Sequence, residues 1–181
     1  MNFIAQKHVK AVVLAAFWTT YRPTDSLNDS LVSTIRAVTA SGATIYVIKD
    51  VPISRFDVPR LAAITALHHG DFGKLAGSPD DYLAANRAFG PDIDRILKMG
   101  AVVLDTPRYL LNRDGFFDVV RDDRVLYYDS QHLSVGGAKL LEPMFEPLFR
   151  QIKQGAVEAP ARADGIKNSQ ETLSSHDGVQ N

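Results

Sequence analysis

Cysteine is absent from the 181 residues. That absence removes disulfide staples, thiolate nucleophiles and cysteine-based zinc sites together. It leaves the compartment open, because an exported chain can also lack cysteine. A charge excess is missing as well: twenty Lys plus Arg stand against twenty-one Asp plus Glu, a formal net charge of −1. No basic surplus points to nucleic acid or to an acidic membrane surface. Long apolar runs are also lacking. The longest, Ala11 to Trp18, falls far short of the roughly 20 residues that a membrane helix needs. The opening residues, Met-Asn-Phe-Ile-Ala-Gln-Lys-His-Val-Lys, do not show the charged-then-apolar pattern of a signal peptide. These absences lead us to expect a soluble chain carrying no address.

What is present fits one ordinary globular domain. A hydrophobic share of 45% and a charged share of 23% are enough to build a core and solvate its surface. The length suits one domain better than two.

Val12-Val13-Leu14-Ala15-Ala16 is a short apolar run entered from charged residues, as a buried parallel strand would be. Thr24-Asp25-Ser26 then offers N-cap candidates, and Leu27, Leu31, Ile35 and Val38 recur at helical spacing up to Ser41-Gly42. Ala43 to Ile48 is a β-branched strand stopping at Asp50-Val51-Pro52. Together they predict a strand–helix–strand unit with a right-handed crossover. A second helix is expected over Val58 to His68, with Pro59 in its first turn. A loop over Gly70 to Gly77 follows. A longer helix is expected over Asp80 to Lys98, with a break or kink at Gly90-Pro91. Ala101 to Asp105 reads as a third strand, and Val125 to Tyr128 as a fourth or as a lead into a loop. The last helix is expected from Ser134, with Val135, Ala138, Leu140, Leu141, Met144, Leu148 and Ile152 on its apolar side.

Strands alternating with helices predict an α/β three-layer sandwich around a mostly parallel sheet. In such sheets, sites form at the carboxyl ends of the strands. The loops after Trp18, Asp50, Asp105 and Tyr128 are therefore the ones to watch. The domain is expected over residues 1–154. From Gly155 to Asn181 periodicity and large apolar groups disappear, which reads as a disordered tail.

The chemistry concentrates in Tyr127-Tyr128-Asp129-Ser130-Gln131-His132-Leu133-Ser134. Asp129 and His132 sit in a loop just before a helix. A histidine steered by a buried carboxylate is a general base with a fixed tautomer. Ser134 suits the helix N-cap, and Gly136-Gly137 a tight backbone turn. The bland reading of any Asp-x-x-His is a turn cap beside a partly buried ring.

The surrounding block tips the balance. Tyr-Tyr-Asp-Ser-Gln-His-Leu-Ser-Val-Gly-Gly-Ala closely resembles the last motif of SGNH-type hydrolase domains, specifically those fused to O-antigen acetylase-like membrane acyltransferases. Ala15-Ala16-Phe17-Trp18-Thr19-Thr20-Tyr21 is similar to a strand end of the same subfamily, and Asp50-Val51-Pro52 also fits. The resemblance spans about Val9 to Phe149. It implies a flavodoxin-like sandwich and a serine–histidine–aspartate logic acting on acyl esters of cell-envelope glycans. Asp129 and His132 carry the last two roles, and no cofactor is implied. It also implies an acylated glycan or acyl donor as substrate, a membrane acyltransferase domain as partner, and a periplasmic location.

Three departures from that pattern matter. No Gly-Asp-Ser nucleophile motif occurs, and the Gly-x-Asn-Asp block that supplies an oxyanion-hole side chain is missing. A cysteine pair that related domains carry before the last motif is also replaced, by residues such as Leu110-Leu111 and Phe116-Phe117. Two explanations stand: a sequence incomplete at its N-terminus, which is favoured, or a degenerate copy surviving as a glycan- or protein-binding module. Without the serine, loss of activity is expected to be nearly complete.

Other candidates are weaker. Trp18 and Tyr21 follow a buried strand and suit either a pocket wall or the core. His68-His69-Gly70-Asp71 lacks a third ligand, so a metal site is not expected there. Ser26 and Ser30 sit at a helix start, where capping explains them. Gly136-Gly137-Ala138-Lys139 lacks the spacing of a phosphate loop.

Overall fold

The computed structural model describes residues 2–20 and 25–153. Tyr21 and the expected tail over residues 155–181 lie outside the described residues, as does the side chain of Leu27. A short helix α1 (Asn2–Gln6) leads into β1 (Ala11–Leu14), a 3-10 turn over Trp18–Thr20 and α2 (Asp25–Ala40). Gly42 then takes a φ of +83°, where only glycine is unstrained, and turns the chain into β2 (Thr44–Ile48). Helix α3 (Val58–Leu67) follows, with the Asp57 carboxylate accepting from Arg60 N–H as its N-cap. Helices α4 (Pro79–Asn86) and α5 (Gly90–Lys98), then β3 (Val102–Leu104), complete the main α/β unit.

Strands β1, β2 and β3 form a parallel sheet in that order among the described residues, with Val13 opposite Tyr46 and Tyr46 opposite Val102. Alternation sends neighbouring side chains to opposite faces. Ile45 and Val47 point into a core with Leu31, Ile35 and Val38 of α2 and Ile96 of α5. Tyr46 and Leu104 point the other way, onto Leu141, Met144 and Leu148. Each fully buried aliphatic chain here contributes roughly 1.5–3 kcal/mol. Helices on both faces of a parallel sheet make this the expected α/β sandwich.

Three expectations need adjustment. The helix expected over Asp80 to Lys98 with a break or kink at Gly90-Pro91 is two helices, and the break falls just before that pair, at Arg87 to Phe89. Pro91 has no N–H to donate, and Phe89 turns inward to become buried. The last helix is three segments: α7 (Val135–Lys139), a 3-10 turn (Glu142–Phe145) and α8 (Glu146–Lys153), with Pro143 and Pro147 opening the second and third. Val135 is 76% exposed and Ile152 44%, so neither belongs to the buried stripe.

The possible fourth strand does not join the main sheet. After a one-turn helix α6 (Pro107–Leu110), β4 (Val120–Arg121) and β5 (Arg124–Val125) form a separate antiparallel ribbon. Leu126 and Tyr127 leave it for a small core with Val58, Leu110, Phe117 and Val119. That second core anchors the loop carrying Asp129 and His132.

Candidate active site

The Asp-x-x-His spacing builds a closed turn around one carboxylate. Asp129 Oδ1 accepts the backbone N–H groups of Gln131 and His132, both at 2.7 Å. Its other oxygen, Oδ2, lies 2.7 Å from His132 Nδ1. One side chain thus caps the loop and orients the imidazole. The turn cap and the carboxylate–imidazole contact are parts of one geometry. These backbone donors, then the imidazole, hold the Asp129 carboxyl down at about 2 against an ordinary 3.8. An ionised partner requires the proton on Nδ1, which leaves Nε2 as the free acceptor.

Burial does not produce this arrangement. The Asp129 side chain is 41% exposed and that of His132 is 68% exposed, which corrects the expectation of a buried carboxylate. Three N–H donors and water solvate the charge at the surface.

The loop is pinned at both ends. Tyr128 N–H donates to His132 O at 2.7 Å, beside a bridge between Tyr127 and Leu133. Ser54 N–H donates to Ser130 O at 2.8 Å, and the buried Tyr127 hydroxyl donates to Pro52 O at 2.8 Å. Burial raises the Tyr127 pKa, so its hydroxyl remains a donor. The stretch after β2 is thereby tied to the motif.

On the far side, Ser134 donates to Val125 O at 2.7 Å and accepts from Gly137 N–H at 3.1 Å as the N-cap of α7. The second glycine serves proximity rather than a turn. A Cβ built on Gly137 would run into the Leu126 carbonyl oxygen and sit 3.1 Å from Leu133 Cδ2, whereas Gly136 has nothing nearer than 3.5 Å.

His132 and Gln131 face a cleft of about 350 Å³ whose other walls are Ala15–Phe17, Ile48–Val51 and Ile53. This is the carboxyl end of β1 and β2, where α/β sheets place their ligands. Asp50 is the buried organiser of that floor, 6% exposed. Its two oxygens accept Trp18 N–H and Thr19 N–H, each at 2.9 Å. Thr106 donates to Lys49 O and Asp50 O at 2.8 Å, fixing the end of β2 against β3. Lys49 pairs with Asp105 at 2.9 Å on the rim.

Trp18 is not a wall of this cleft. Its ring is 6% exposed, stacked on Phe89 at 5.2 Å, with Nε1–H donating to Ile48 O at 2.7 Å. Phe17 takes the wall position, because the 3-10 turn drawn in by Asp50 swings Trp18 inward. Sequence reading passed over Asp50 and Lys49 as site residues. The signal was a charged pair ending an apolar parallel strand.

His68 and His69 lie at the end of α3, and His69 takes a φ of +50°. Among the described residues, no three His, Cys, Asp or Glu side chains gather to hold a metal ion. No helix among them is long and apolar enough to cross a membrane. Ser30 accepts at its backbone carbonyl from Ser33 and Thr34, away from the cleft. The Ser26 side chain lies outside the described residues.

An α/β sandwich with helices on both faces of a parallel sheet and a cleft at the strand ends fits the class of SGNH-type domains. Residues 1–147 match the family described as SGNH domain (fused to AT3 domains), and this chain belongs to that family. A solved structure, the periplasmic domain of the lipopolysaccharide acetyltransferase of Salmonella ser. Paratyphi A, is similar in fold. It superposes with a TM-score of 0.60 at 15% identity, over 82% of this chain and 60% of that chain. The chain therefore spans about three fifths of that structure. No curated protein matches.

Proposed function

We propose that this domain takes part in transfer or hydrolysis of acyl groups, acetyl in particular, on cell-envelope glycans at the periplasmic face of a membrane. In this reading it works beside a membrane acyltransferase domain. His132 is the general base through Nε2, and Asp129 holds its tautomer and stabilises the imidazolium. The observation that carries the reading is the 2.7 Å contact between His132 Nδ1 and Asp129 Oδ2 in a cleft at the strand ends.

The nucleophilic serine comes, in this proposal, from sequence beyond these residues. Among the described residues no serine lines the cleft. Among the described residues nothing pairs with the outer edge of β1, and Val13 is left 41% exposed. Parallel strands are normally covered on both faces. A further strand along β1 would bring its carboxyl end to the cleft and shield the open dyad from water.

The absence of a serine among the described residues of the cleft favours a second reading, a binding module that holds a glycan or protein without turnover. The two separate on an extended protein that includes in-frame upstream coding sequence. The first reading expects a Gly-Asp-Ser-type motif there, p-nitrophenyl acetate turnover, and a loss of about a thousandfold or more in His132→Ala. A stop codon close upstream, or turnover indifferent to His132→Ala, would leave the binding module standing.

A further inference from the structure

A second cleft, of about 320 Å³, lies between α4 and the start of α5, and Lys49 lines both it and the cleft that His132 faces. Its chemistry is mixed rather than apolar. Leu83, 64% exposed, and the half-buried ring of Tyr82 supply flat and aliphatic surface. Tyr82 is held edge-on to Phe117 with centroids 5.8 Å apart. Asn86 Nδ2 donates to Tyr82 O at 3.0 Å. That bond fixes the carboxamide, whose Oδ1 has no protein partner among the described residues. Arg87 and Asp94 place opposite charges on the same walls.

Donors and acceptors therefore both line it: the Lys49 ammonium, which also pairs with Asp105, the Asn86 carbonyl, the Arg87 guanidinium and the Asp94 carboxylate. A phosphate or carboxylate ligand would call for donors alone. An acyl chain would call for neither. A ring of vicinal hydroxyls, each giving and taking a hydrogen bond, matches both this mixture and the aromatic surface beside it. Burial and the nearby Asp50 and Asp105 charges keep the Tyr82 hydroxyl protonated, adding one more donor.

We propose that this second cleft is a subsite for a neutral sugar residue of the acceptor glycan, whose esterified substituent passes Lys49 to reach His132. The assignment rests on the acyl-transfer reading for its direction, but binding can be read without turnover. The test is a titration of the ¹⁵N-labelled chain with methyl α-D-glucopyranoside, galactopyranoside and mannopyranoside, followed by NMR. At least one is expected to shift the backbone amides of Tyr82, Asn86 and Arg87. Arg87→Ala and Asn86→Ala should weaken that binding tenfold or more, while His132→Ala leaves it unchanged. Arg87 is exposed, so its substitution keeps the fold even if Asn86→Ala does not. Silence with all three sugars, shifts confined to the His132 cleft, or shifts indifferent to both substitutions would overturn the subsite. An esterase activity that fails to depend on His132 would instead sink the catalytic reading and leave this result intact.

Discussion

Gly137 gives the sharpest test of how the motif is held. A methyl group there meets the Leu126 carbonyl, its carbon at 3.0 Å and its oxygen nearer still, together with Leu133 Cδ2 at 3.1 Å. The main obstacle is backbone, which cannot rotate away as a side-chain tip can. Overpacking of this kind costs roughly 1–3 kcal/mol, and the upper end applies here. Replacing glycine by alanine in a helix returns at most about 1 kcal/mol. Gly137→Ala should therefore lose about 2 kcal/mol net, a Tm lower by about 4–8 °C for a domain of this size. Gly136→Ala meets only ordinary contacts, the nearest 3.5 Å from Ser134 Oγ. It should leave Tm unchanged or raise it by a few degrees. Thermal unfolding followed by circular dichroism compares the pair directly. Failure of Gly137→Ala alone to fold is the same outcome in stronger form. Equal Tm values for the two variants would refute the close-approach argument.

Three further outcomes follow from the same geometry. Asp50→Asn keeps the shape but turns one carboxylate oxygen that accepts a backbone N–H into an amide donor facing Trp18 or Thr19 N–H. It should cost about 3 kcal/mol, seen as a lower urea midpoint; an unchanged midpoint would deny Asp50 its organising role. Tyr127→Phe leaves Pro52 O without its donor. We expect a loss of about 1–2 kcal/mol with shifted amide resonances at Ser130 and His132, and neither change would be seen if that bond were idle. Asp129 has a folded pKa lowered from 3.8 to about 2. Its stabilising effect on the loop is thus complete above 3.8 and disappears as pH falls through about 2. A carboxylate ¹³C titration should find that midpoint near 2, and one near 4 would contradict the hydrogen-bond account.

Much of this was legible in the chain because periodicity reports burial directly. Leu31, Ile35 and Val38 marked a helix face, and Thr44 to Ile48 marked a strand buried on both sides. The resemblance over Asp129 to Ser134 picked out the Asp129–His132 pair from the chain alone. What escaped was tertiary in origin. Trp18 looked equally suited to wall or core, and the Asp50 carboxylate, thirty-two residues away, draws it inward with the Ile48 carbonyl and the Phe89 ring. Gly136 and Gly137 read alike, yet only one lies against the Leu126 backbone. Pro143 and Pro147 broke a helix whose apolar pattern ran straight through them. Asp129 was expected to be buried because catalytic carboxylates often are, whereas three N–H donors do the same work at the surface. The second cleft left no trace in sequence, since Lys49 lies more than thirty residues from Tyr82 and Asn86 and meets them only in the folded chain.

The central claim is that Asp129 holds His132 with Nδ1 protonated and Nε2 free to act as a base over the cleft. Long-range ¹H–¹⁵N correlation spectra of His132 in the neutral-imidazole range read that tautomer directly. The account predicts a protonated Nδ1 and a bare Nε2, with the preference lost in Asp129→Ala. A dominant Nε2–H tautomer, or one indifferent to Asp129→Ala, would contradict it.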